Sequence, residues 1–165
     1  SMIFIFIAAL LLPISYVSAG ADLDVPTNIA NRTMAVKGQL YCGKKPFEGA
    51  KIRLFRTFQP NAADDLAELL DVKNTYITGM FQVEGGTARF PRTKTDIQPY
   101  VTIHHNCGMD NKQTSNYGYK RIGVRLPEDY VTLGIKARKV YDFGILNLEL
   151  EFPQETHDLK FKFTD

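Results

Sequence analysis

His104 and His105 stand side by side in this 165-residue chain, His157 follows far downstream, and acidic residues are scattered throughout. These are the residue types of metal binding and general acid–base work, so their spacing decides what they can do. Neighbours in an extended strand point to opposite faces, and His104 and His105 therefore do not share one metal ion without distortion. His105 faces the same way as Ile103, and a packed, hydrogen-bonded imidazole is expected there rather than a ligand working with the distant His157. Ser, His and Asp are all present, yet no nucleophile-elbow pattern gathers them. Asp142-Phe143-Gly144 imitates a magnesium-binding triplet of kinases, but the lysine strand, the catalytic loop and the length that chemistry needs are missing. The acidic stretch Asp64-Asp65-Leu66-Ala67-Glu68 lacks the alternating oxygen ligands and the glycine of a calcium loop. No catalytic residue, metal site or cofactor is expected, and the chain does not read as an enzyme.

Basic residues offer a different chemistry. Arg89-Phe90-Pro91-Arg92-Thr93-Lys94 places three cations around an aromatic ring in an expected loop, and Lys120-Arg121 and Lys136-Ala137-Arg138-Lys139 add more. Each basic residue beside an anionic membrane contributes about 1 kcal/mol, so three or four converging would give weak, salt-sensitive attachment with Phe90 inserting. Arg89, Phe90, Arg92, Lys94, Lys120 and Arg121 are the candidate contacts with anionic lipid or a partner. The competing reading is a solvated face neutralised by Asp64, Asp65, Glu68 and Asp71. A net charge of +2 with no long run of one sign argues against a strong nucleic-acid binder.

The elements that must carry these groups start with an apolar run, Met2 to Leu12, broken by Pro13 and followed by Val17-Ser18-Ala19. It is shorter than the ~20 residues of a membrane-spanning helix and resembles a secretory leader over 1–19, cut before Gly20. The mature chain would then be secreted, extracellular and not an integral membrane protein. Residues 20–33 read as a flexible arm holding the one glycosylation sequon, Asn31-Arg32-Thr33, which makes Asn31 the glycosylation candidate. One domain, 34–165, follows.

That domain is rich in Val, Ile, Thr, Phe and Tyr, a strand-favouring mixture. Strands are expected at 34–42, 50–57, 74–77, 80–84, 99–106, 119–126 and 139–152, with turns at Gly43–Gly49, Thr78-Gly79 and Gly85-Gly86 and one or two helical turns over 64–70. The expected fold is all-β: an antiparallel β-sandwich of about seven strands with at most one short helix. Val36, Leu40 and Cys42 share one strand face, as do Val101, Ile103 and Cys107, so both sulfurs would point to the core. A Cys42–Cys107 disulfide is expected, with two buried thiols or intermolecular pairing as the alternatives. Closing that loop is worth about 4 kcal/mol in the chain-entropy model.

Several ordered blocks carry a family resemblance. Val36-Lys37-Gly38-Gln39-Leu40-Tyr41-Cys42-Gly43-Lys44-Lys45-Pro46 resembles the opening strand and turn of the nematode transthyretin-like family. Lys51–Phe55, Thr78–Val83 and Pro99-Tyr100-Val101-Thr102-Ile103-His104-His105-Asn106-Cys107 are similar to its later strands, and Leu126–Val131, Tyr141–Leu148 and Phe152–Thr156 to its closing run. Family members often carry further cysteines where this chain has Tyr119 and Leu159, so the extra bridges are missing. Thr78-Gly79 stands where the family has Asp-Gly, and glycine still supplies the turn.

The resemblance implies a secreted, transthyretin-like sandwich that binds at the cell exterior, with a cell-surface receptor or an anionic lipid such as phosphatidylserine as the partner. One class of the family is implicated in bridging that lipid on dying cells to engulfment receptors. The alternative is a carrier of a small apolar ligand. The third, a hydrolase of the transthyretin-related type, would need a C-terminal Tyr-Arg-Gly-Ser, and this chain ends Lys162-Phe163-Thr164-Asp165.

Overall fold

The computed structural model describes residues 30–58 and 64–163; the expected leader and most of the expected arm lie outside the described residues. Ten strands and one α-helix are found among them: β1 Arg32–Cys42, β2 Lys45–Pro46, β3 Lys51–Phe55, β4 Leu69–Asn74, β5 Met80–Gly86, β6 Tyr100–His105, α1 Asn111–Tyr117, β7 Tyr119–Arg125, β8 Thr132–Leu133, β9 Val140–Asn147 and β10 Thr156–Asp158.

The strands form two sheets. In the first, β1 is central, with β5 and β2 on one side and β9 and β8 on the other; the second runs β10-β7-β6-β3-β4. Every pairing is antiparallel except β1 with β9, which is parallel. Period-two alternation turns Met34, Val36, Leu40, Phe81 and Val83 of the first sheet against Ile52, Leu54, Val101, Ile103 and Ile122 of the second, and these make one continuous core. The two sheets are joined covalently where expected, by Cys42–Cys107, with Cα atoms 5.7 Å apart.

Some local expectations give way to tertiary demands. Over 64–70, Asp65 caps only a short 3₁₀ turn, Leu66–Glu68, because Glu68 is drawn inward to Arg56 and Leu70 into the core, and the chain continues as β4. Strand structure accordingly covers Leu69–Asn74 rather than 74–77. The helix forms instead at Asn111–Tyr117, where none of its residues is buried and no apolar stripe announces it. It rests on a capping box: the Asp110 carboxylate accepts from the Gln113 backbone at 2.7 Å while the Gln113 side chain accepts from Asp110 N at 3.0 Å. β9 stops at Asn147. Within it, Asp142 Oδ1 accepts from Gly144 N at 2.8 Å and Gly144 takes φ 70°, giving a bulge beside a register shift in β1. Asp142-Phe143-Gly144 is thus a strand-bending device that blunts an edge.

Candidate functional site

The outer face of the second sheet holds the polar groups that sequence alone makes most chemical. His104 and Thr102 of β6, Lys51 and Arg53 of β3 and Arg121 of β7 project there, since cross-strand partners share a face. His104 is fully buried because Phe161 of the C-terminal segment stacks on it. Its Nε2 donates to Asp158 Oδ2 at 3.0 Å, while Asp158 Oδ1 accepts from the backbone of Lys160 and Phe161, each at 3.1 Å. Arg121 Nη2 donates to Asp64 Oδ1 at 2.6 Å and to the Tyr100 hydroxyl at 3.2 Å. Burial holds the His104 pKa below its ordinary value against the pull of Asp158. Burial is the largest influence on Asp158 and works to raise it, but the hydrogen bond and charge of His104 together with the backbone N–H groups of Lys160 and Phe161 outweigh it and hold the carboxyl below its ordinary value.

Asp64, His104 and Asp158 offer ligand atoms within 4.8 Å of one another. Their charges are already spent: Asp64 lies against the Arg121 guanidinium, Asp158 on His104, and Arg53 faces the same group. The arrangement is a hydrogen-bond and ion-pair network that pins the C-terminal segment to the sheet. His157 points elsewhere, its Nδ1 3.4 Å from the Gly118 carbonyl beside Tyr117. His105 is turned into the core with Ile103. Its Nδ1 accepts from Cys107 N at 3.2 Å, and burial, helped by the charges of Lys120 and His104, pushes its pKa down to about 4.

The six candidate contact residues do not form one patch. Lys120 and Arg121 lie towards the disulfide end, paired with Glu155 at 3.9 Å and with Asp64. Of the 89–94 loop, Phe90 packs half-buried against the core with the Arg56 guanidinium 6.0 Å over its ring, and Lys94 Nζ bonds Glu68 Oε1 at 2.6 Å. Glu68 also takes Arg56 Nε at 2.6 Å; that hydrogen bond lowers its pKa most, opposed by burial and aided by Lys94. Arg89 and Arg92 remain exposed.

A different grouping appears at the far end of the sandwich, where β1 begins. Arg32 N donates to Thr87 Oγ1 at 3.0 Å and its guanidinium to Thr95 O at 2.9 Å, which draws the 87–95 segment to this end. After β8, Gly134 takes φ 106° and turns the chain so that Ile135 projects with 73% of its surface exposed. Ile135, Arg89 and Asn31 line one small hollow of about 200 Å³. Lys136, Arg138 and Lys139 follow, all exposed. Arg89 donates to the Leu70 carbonyl at 3.0 Å, Arg138 to that of Leu133 at 3.3 Å and Lys139 to that of Asp129 at 2.8 Å. Carbonyls fix these cations without cancelling their charge, whereas Lys94, Lys120 and Arg121 meet carboxylates. Sequence reading found the 136–139 cations but missed Ile135; the signal was an apolar residue between a glycine and a basic run.

The outer face of the first sheet carries an open groove of about 420 Å³ above Gly38, walled by Tyr76, Met80, Phe81 and Ile145, with the Lys37–Asp142 pair at 3.7 Å on its rim. Among the described residues no helix is long and apolar enough to cross a membrane.

Residues 37–127 match the model of the transthyretin-like family. The chain belongs to this family. Transthyretin-like protein 46 of Caenorhabditis elegans is 33% identical over 139 residues, covering 84% of this chain and 72% of its own. Transthyretin-like protein 2 of the same organism is 30% identical over 128 residues, 76% of this chain and 80% of its own, and transthyretin-like protein 33 is 27% identical over 130 residues, 79% and 83%. The transthyretin-like match spans β1 from Lys37 through β7, so both cysteines and the His104–Arg121 face fall inside it, while the Ile135 turn and the C-terminal segment lie beyond it.

Proposed function

We propose that this member of the transthyretin-like family is a secreted, non-enzymatic binding protein that attaches to anionic membrane surfaces, phosphatidylserine-bearing ones included, through the Ile135 end. The observation that carries this reading is exposed Ile135, which shares a hollow with Arg89 and is followed along the chain by exposed Arg138 and Lys139; all three cations bond carbonyls, and Glu84 meets this turn at the Ala137 backbone, 3.1 Å away. An apolar tip ringed by cations suits a surface whose headgroups are anionic and whose interior is apolar. Binding rather than catalysis is favoured because the ionisable groups of the second sheet's outer face and of the Glu68 cluster pair with one another: Asp158 with His104, Asp64 with Arg121, Glu68 with Arg56.

The test is co-sedimentation of the oxidised protein with neutral and with phosphatidylserine-containing vesicles. Selective pelleting with the anionic vesicles is expected, weakening as salt rises. Reversing Arg89, Arg138 and Lys139 to Glu removes about 3 kcal/mol, more than ~100-fold in affinity, with an unchanged melting temperature. Lys94→Ala leaves binding nearly intact. No pelleting with either vesicle, or an unaltered curve for the triple reversal, removes the reading and turns attention to a protein receptor. A second reading, carriage of a small apolar ligand, draws on the groove above Gly38; native mass spectrometry of the secreted protein with no ligand retained would remove it.

A further inference from the structure

We infer that Asn31 carries an N-linked glycan and that this glycan sets access of the Ile135 end to membranes; the second half rests on the membrane reading above. Asn31 begins the chain's one sequon and is exposed. Both ends of that sequon grip the residue before Ile135: the Asn31 carbonyl accepts from Gly134 N at 2.8 Å, and Thr33 Oγ1 donates to the Gly134 carbonyl at 2.6 Å. Asn31, Arg89 and Ile135 line the same hollow. A sugar on Asn31 therefore stands between the solvent and two of the groups that a membrane must reach.

The chemistry is a group transfer from a lipid-pyrophosphate-linked oligosaccharide. A bond forms between Asn31 Nδ2 and C1 of the first sugar, the C1–oxygen bond to the pyrophosphate breaks, that oxygen leaves with the bonding pair, and the amide loses one proton. Thr33 is buried in β1 and its hydroxyl is held by Gly134, so transfer precedes the closing of β1 onto β8. That order fits the order of the chain, because the Asn31–Thr33 sequon enters the secretory space well before Gly134, 101 residues after Thr33. Once β1 forms, the exposed Asn31 side chain holds the glycan outside the sandwich without displacing a core residue. Bulky and strongly hydrated, the glycan keeps Ile135 from the acyl boundary and the cations from the headgroups.

The full chain is secreted from a glycosylating host beside Asn31→Gln and beside Asn31→Gln combined with Lys112→Asn. The last completes a sequon with Gln113 and Thr114 on exposed α1, which follows Cys107 and so sits towards the disulfide end. Intact mass should show a glycan on the natural chain and none on Asn31→Gln. With phosphatidylserine vesicles the glycosylated chain should bind about tenfold more weakly than Asn31→Gln, the worth of one or two basic contacts. The chain glycosylated only at α1 should bind like Asn31→Gln. An unoccupied Asn31, equal binding of the two main forms, or equal weakening by the α1 glycan overturns the inference and leaves the membrane reading standing. Failure of every form to bind overturns the membrane reading, and the gating with it, while the mass still decides occupancy.

Discussion

The imidazole of His104 lies flat on the ring of Phe161, with centroids 3.8 Å apart and planes 8° from parallel. Phe161 sits under Arg53 at 4.8 Å and against Tyr119 and Phe163, so an aromatic segment seals a face of the second sheet that would otherwise expose Lys51, Arg53 and His104 to water. Phe161→Ala removes the stack and should destabilise the protein by about 3 kcal/mol, within the range for a buried aromatic. Hydrogen exchange should show β10 opening before β6. An unchanged urea midpoint would mean that the segment is not anchored by this contact.

Two buried histidines tie stability to pH. His105 is held down to about 4 and His104 is also lowered, both first by burial, so the folded protein keeps them neutral where the unfolded chain, near 6.5, takes protons. The unfolded state binds more protons, and stability is therefore lost as pH falls from about 6.5 towards 4; His105 alone accounts for about 3 kcal/mol. Below that window Glu68 and Asp158, whose folded values lie under their ordinary ones, surrender their contribution in turn as they protonate. Urea titrations at pH 7, 5.5 and 4 measure the slope. His105→Phe keeps a ring against Phe47 and should flatten the upper part; an equally steep slope would place the proton uptake elsewhere.

Alternation and turn chemistry made the sandwich legible: Val36, Leu40, Ile52, Val101 and Ile103 face inward as their period requires, and the two cysteines meet. The polar pairs were hidden, because Asp64 and Arg121 are 57 residues apart and His104 and Asp158 are 54 apart, distances over which one sequence gives no register. The basic end was half legible. Runs of cations are visible along the chain, but whether each meets a carboxylate or a carbonyl depends on the fold. Phe90 reads as an exposed ring beside Pro91 and cations, yet it packs on the core because the 87–95 segment is tied to Arg32.

Glu68 joins Arg56 and Lys94 in a nearly closed cluster, with Arg56 also bonding Asp96 Oδ1 at 2.9 Å. Glu68→Gln leaves the buried Arg56 guanidinium without its main counter-charge and should cost about 3 kcal/mol, the range for breaking a buried pair from one side. Arg56→Met with Glu68→Gln should recover part of that loss. A double variant no more stable than the worse single one would show that the charges themselves hold β3 to the Leu66–Glu68 turn.

Cys42 ends the central strand of the first sheet and Cys107 follows β6 of the second, at a sequence separation of 65. The bridge acts chiefly on the unfolded chain, and in the loop-closure model replacing both cysteines with serine costs about 4 kcal/mol. Two origins of that loss are separable. If the bridge restrains the unfolded chain, the variant's denatured state is more expanded, and the denaturant slope rises as stability falls. If it acts by holding the sheets together in the folded state, stability falls with the slope unchanged and exchange at the His105 and Cys107 amides accelerates. The fold favours the first outcome, because Val36, Leu40, Ile52 and Ile103 already join the sheets through one continuous core.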